Sequence, residues 1–174
     1  SSLRAPVKRV GWADDEGWKT IAHNMGIVAW MAHECGVKGL VIDHEDYYRQ
    51  RQYEWQENDP PYEECRMLAR RRGREIFGRV FGEHPSAILL SFWFLSEKPA
   101  YFTTSDPDSL RVASKDLWPD FVAGILDVLP STGRFIDGNE FSYRYEHSAL
   151  DFQVGIVNVD ICADFSGGTA FSPG

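Results

Sequence analysis

The chain has few cysteines, fewer positive than negative charges and no long apolar run. Cys35, Cys65 and Cys162 are an odd count without CxxC spacing, which argues against a disulfide framework and a zinc finger. No apolar run approaches ~18 residues, so no transmembrane helix is expected. Lys and Arg number 18 against 26 Asp and Glu, a formal charge of −8. An acidic chain without a long basic block is a poor binder of nucleic acid or of an anionic membrane surface. GxGxxG and GxxxxGK[ST] are missing, and with them the usual signatures of nucleotide binding. No GxSxG elbow supports a serine hydrolase, and His33-Glu34 lacks the second histidine of HExxH. There is no internal repeat of the solenoid kind. Residue 1 is Ser rather than Met, and Ser1 to Pro6 lacks the apolar stretch of a signal peptide, so the chain is expected to be processed, trimmed or a fragment.

What remains is 174 residues with 43% hydrophobic content, enough for one domain with a sizeable core. Asp14-Asp15-Glu16 precedes apolar residues at helical spacing: Trp18, Ile21, Ala22, Met25, Val28, Ala29 and Ala32. Acids in the first turn and Gly36 after the last periodic residue predict a helix to about Cys35. Lys38 to Asp43 is a short, nearly continuous apolar run, the pattern of a strand buried on both faces. A second helix is predicted from about Tyr62 to Phe81, and a second strand over 87–94. Glu97 to Asp108 reads as a loop. A third helix follows between Pro119 and Leu129, with proline suited to its first position, and then a third strand over Gly133–Gly138. Gln153 to Asp160 could form another strand, and 166–174 reads as a loose tail. Helices alternating with short apolar strands predict an α/β fold with parallel strands and crossover helices, either doubly wound or part of a (β/α)8 barrel.

In such folds active sites lie at the C-terminal ends of the strands. The first strand ends in Asp43-His44-Glu45-Asp46-Tyr47-Tyr48, the second leads to Trp93 and Ser96-Glu97-Lys98, and the third ends in Asp137-Gly138-Asn139-Glu140-Phe141-Ser142-Tyr143. Alternation along a strand gives Asp43 and Glu45 one face and turns His44 to the other, which weakens a metal site there. Two acidic strand ends with aromatics beside them suit a reaction needing one acid and one base or nucleophile, and glycoside hydrolysis leads. Glu45 and Glu140 are the expected catalytic pair, with Asp43 and Asp137 in support. Tyr47, Tyr48, Trp55, Trp93 and Tyr143 are expected to stack on sugar rings, although the aromatics of 47–62 would serve equally as rim packing. Cys35 and Cys65 are expected in the core. Arg70, Arg71, Arg72 and Arg74 are expected on a solvated, ion-paired helix face.

Trp12-x-Asp14-Asp15-x-x-Trp18, Gly36 to Tyr47, Arg72-Gly73-Arg74-Glu75 and Ile136-Asp137-Gly138-x-Glu140-x-x-Tyr143 together resemble the central part of a TIM-barrel glycoside hydrolase family. The resemblance spans about residues 7–150 and implies a barrel-type catalytic domain that acts on an oligo- or polysaccharide without a cofactor. Three strands before residue 140 are too few for a full barrel, which needs about 200 residues or more. The chain is therefore expected to be a single, incomplete barrel whose open strand edges favour self-association. Two other readings are a metal-assisted barrel enzyme using Asp43, Glu45 and Asp137 as oxygen ligands, and a carbohydrate-binding domain without catalysis.

Overall fold

A computed structural model of the chain describes residues 9–43, 51–92, 94 and 105–138. Helix α1 spans Asp15–Glu34, strand β1 Gly39–Ile42, helix α2 Tyr62–Glu83 and strand β2 Ile88–Ser91. Helix α3 spans Pro107–Ser114, helix α4 Trp118–Leu126 and strand β3 Arg134–Asp137. The strands form one open sheet in the order β1-β2-β3. The Arg134 amide donates to the Ala87 carbonyl and the Gly138 amide to the Ser91 carbonyl. Both strands advance by four residues between these two bonds, which defines a parallel pair. This is the α/β arrangement with parallel strands that the alternating pattern predicts. Helix α3 is an addition, because its eight residues lie partly in a stretch read as loop. Asp106 provides its start: its carboxylate accepts from the Ser109 amide and hydroxyl, as a helix cap does.

The chain divides into two compact units. The first contains α1, α2, α4 and the segment 51–61. The Asp14 carboxylate accepts from the Gly17 amide and caps α1, and Gly36 closes the helix in the left-handed region at φ 69°. Helix α1 turns Trp18, Ala22, Gly26 and Ala29 inward, and it packs on α2. Val28, expected on that face, is exposed, as is Cys35. The buried stripe is narrower than the apolar periodicity implied: Ile21, Met25 and Ala32 are only half-buried at its edges. Helices α2 and α4 cross at a pair of glycines. A methyl group on Gly73 would stand 2.2 Å from the Phe121 carbonyl oxygen, and one on Gly124 2.1 Å from that of Arg70.

An aromatic cluster fills the first unit. Trp12 is fully buried and stacks on Trp18 at 5.0 Å, while Tyr53 meets the edges of Trp118 and Phe121 at 4.6 and 5.2 Å. Residues 51–61 are tied down as well. Glu54 and Asp116 form an antiparallel bridge, flanked by bonds from Trp55 N–H to the Lys115 carbonyl and from Leu117 N–H to the Tyr53 carbonyl. The Arg9 guanidinium grips Asp59 with two 2.7 Å bonds, and both side chains are largely buried.

The arginine run of α2 splits. Arg70 and Arg74 pair with Asp127 and Arg71 with Glu75 on the surface, as expected. Arg72 departs from that expectation: its side chain is 1% exposed. Its guanidinium donates twice to the Trp12 carbonyl, pairs with Asp15 and Glu75, and lies 5.9 Å from the Trp18 ring centre. The helical period places residue 72 on the buried side with Cys65, Ala69 and Ile76, and the fork of donors satisfies a carbonyl that water cannot reach.

Candidate functional site

The C-terminal ends of the strands belong to the second unit, which takes Val41–Asp43, Leu89–Ser114 and the chain from Phe135. Asp43 directly follows β1, Ser91 closes β2 and Asp137 closes β3. Two strand spacings separate the outer strands, so their backbones lie about 9–10 Å apart. The ladder fixes which side chains share a face. The Ile88 amide donates to the Lys38 carbonyl, which pairs Gly39 with Ile88, while the bond from Arg134 to Ala87 pairs Ile88 with Arg134. Counting along the strands, Val41, Leu90 and Ile136 form one row, and Asp43, Phe92 and Gly138 the next on the same face. Leu40, Leu89 and Phe135 share the opposite face with Ile42, Ser91 and Asp137.

Burial agrees with this register. Val41 is 65% exposed, Phe92 42% and Ile136 41%, whereas Leu89 is fully buried and Ser91 nearly so. Phe94 is buried and stacks on Phe135 with ring centres 3.7 Å apart. Asp43 thus stands at the end of the open face, and Asp137, half-buried, at the end of the covered one. The Gly138 amide approaches the Ser91 carbonyl at 2.7 Å, so the chain leaves β3 close against β2.

Of the remaining site candidates, Glu45, Tyr47, Tyr48, Trp93, Glu140 and Tyr143 lie outside the described residues. Trp55 belongs to the first unit, where its indole N–H donates to the Pro60 carbonyl at 2.7 Å and Lys115 covers its ring at 4.9 Å. These contacts give Trp55 a packing role. His23 and His33 are exposed on α1. His84, buried at the end of α2, holds the Val37 carbonyl through Nε2 at 2.9 Å. Among the described residues no group of three or more His, Cys, Asp or Glu could hold a metal ion. No helix among them is long and apolar enough to cross a membrane. Burial pushes the Cys65 thiol up to about 11, with the Asp59 carboxylate adding to it, so this cysteine is a core residue and not a nucleophile. Comparison with protein-family models, with curated proteins and with solved structures gave no match.

Proposed function

We propose that this chain is part of a (β/α)8-type glycoside hydrolase acting on an oligo- or polysaccharide. One observation carries the reading: parallel strands stand in chain order, and the two outer ones end in acidic, aromatic-rich sequence on the side where such folds do chemistry. Glu45 follows Asp43 by two residues and Glu140 follows Gly138 by two, and Asp43 and Gly138 share one row of the sheet. Glu45 and Glu140 are the proposed catalytic pair. One carboxyl stays protonated and gives its proton to the departing glycosidic oxygen. The other, ionised, attacks the anomeric carbon or activates a water. Asp43, two residues before Glu45 in the sequence, adds a like charge to that strand end, and a like charge raises the pKa of a neighbouring acid. Tyr47, Tyr48, Trp93 and Tyr143 offer ring faces for the sugar.

The metal-assisted alternative fits the register less well, since Asp43 and Asp137 leave their strands on opposite faces. The test is a panel of aryl glycosides and polysaccharides assayed with the parent chain, Glu45→Gln and Glu140→Gln. Loss of about 10²-fold or more in both variants, with chelator having no effect, supports the pair. Hydrolysis that survives both substitutions overturns it. Chelator-sensitive activity favours the metal enzyme, and saturable sugar binding without turnover favours a binding domain.

A further inference from the structure

Strand register brings one aromatic residue into the row between the two acidic strand ends. Phe92 directly follows β2, the middle strand, and stands level with Asp43 on one side and Gly138 on the other. It is 42% exposed, whereas Phe94, two residues on, is buried and stacked on Phe135. Behind Phe92 on the same face run half-buried Leu90 and exposed Val41 and Ile136, so its ring ends an apolar strip. Asp43 is exposed one strand spacing away, about 4.8 Å at the backbone. Gly138 brings no side chain to the row. A methyl group there would meet the Ser91 carbonyl oxygen at 2.7 Å, so the close approach of β3 to β2 keeps that side of the ring uncovered by its own row. Among the described residues, none at these strand ends is Lys or Arg.

A flat apolar ring beside a carboxylate matches the outline of a pyranose, which carries C–H bonds on its faces and hydroxyls around its rim. We propose, resting on the glycoside reading above, that Phe92 is the ring on which the sugar stacks and that the sugar held there carries no negative charge. One C–H face lies on Phe92, and the apolar area that both surfaces bury supplies binding. Rim hydroxyls donate to the Asp43 carboxylate, and a bond to a charged acceptor is stronger than one between neutral groups. The sequence alone selects Trp93 from this strand end; the row shared with Asp43 selects Phe92. The same row sets the charge preference. A uronate or sulfated sugar stacked on Phe92 would hold its anion against Asp43, with Glu45 two residues further on and no Lys or Arg of the described strand ends to neutralise it. At that range like charges disfavour the anionic sugar about tenfold or more.

The test takes neutral aryl glycosides and their matching uronates to the parent chain, Phe92→Ala, Phe92→Leu, Phe92→Tyr and Asp43→Asn. Where a sugar binds without turnover, Kd from calorimetry replaces KM. Phe92→Ala raises KM about tenfold or more and changes kcat by less than about threefold, as the loss of binding shared by ground and transition states requires. Phe92→Tyr stays within about threefold of the parent. Phe92→Leu, apolar but without a flat face, does not, and this pair decides the matter even if Phe92→Ala fails the check of fold by circular dichroism. The parent prefers the neutral glycoside to its uronate by about tenfold or more, and Asp43→Asn narrows that ratio. An unchanged KM in Phe92→Ala, a loss confined to kcat, or Phe92→Leu equal to Phe92→Tyr overturns the stacking role while hydrolysis by the parent leaves the glycoside reading standing. A uronate handled as well as the neutral sugar, or a ratio that Asp43→Asn leaves unaltered, overturns the charge preference. A parent that neither hydrolyses nor binds any sugar overturns the glycoside reading and the Phe92 role together.

Discussion

Replacing Arg72 by leucine tests how the buried guanidinium stabilises the first unit. The substitution keeps most of the side-chain volume and removes the five donors. The Trp12 carbonyl then loses both of its guanidinium bonds, at 3.0 and 3.3 Å, in a place where Trp12 itself has no solvent exposure. An unpartnered buried carbonyl costs about 1–3 kcal/mol. The contact with the Trp18 ring adds about 0.5–1 kcal/mol. The carboxylates behave differently. Asp15 is 64% and Glu75 34% exposed as side chains, so both rehydrate, and the ~3–5 kcal/mol of a fully buried broken pair does not apply. The leucine returns part of the loss by burying apolar surface. The net expectation is a destabilisation of about 2–3 kcal/mol, or roughly 5–12 °C in Tm for a chain of this length. Urea unfolding followed by tryptophan fluorescence measures it directly, since Trp12 and Trp18 report on the site. Arg72→Lys restores the charge without the fork and recovers less than half of the loss. A leucine variant within about 0.5 kcal/mol of the parent refutes the reasoning, because it would mean that the Trp12 carbonyl finds water or another donor.

The glycine crossing gives a contrast within one helix pair: Gly124→Ala forces α4 from α2 and costs about 2 kcal/mol or more, whereas Gly78→Ala, with open space at its methyl position, stabilises by about 0.5–1 kcal/mol, both read by chemical denaturation. In native protein at pH 8, iodoacetamide followed by peptide mass spectrometry labels exposed Cys35 and spares Cys65; equal labelling of both would contradict the burial. The Arg72 guanidinium, followed by Arg71, holds the Asp15 carboxyl below the usual aspartate range, and the bond from Arg70 does the same for Asp127 against the opposing effect of burial. Their folded values lie below the unfolded ones, so this stabilisation is complete above the ordinary aspartate range and is lost as pH falls through the lowered values. Asp127→Asn should flatten the acid limb of a stability-against-pH curve, and an unchanged limb would show that the Arg70 pair contributes nothing.

Local sequence rules determined the elements of the described chain apart from α3, which lies partly in a stretch that reads as loop. Acids before Trp18 and Gly36 after the helix bounded α1 to within a residue, because capping and positive φ are chemical demands of single positions. Short apolar runs between helices predicted all three described strands and their parallel order, because a strand buried on both faces has no polar alternation to show and a crossover helix leaves no other pairing. The acidic ends of β1 and β3 were legible for the same reason: they stand where the apolar runs stop. Tertiary structure decided the rest. Arg72 is written in a run of four arginines, and only the packing of α1 and α4 against α2 tells it from its solvated neighbours. Tyr53 and Trp55 sit in a polar stretch that reads equally as binding loop or packing, and it was Asp116, Lys115 and Trp118, 60 or more residues away, that drew them into the first unit. The separation of Asp43 from Asp137 onto opposite faces depends on strand register. Hydrogen bonds between segments about 47 residues apart set that register, and no local pattern in either strand encodes such an offset.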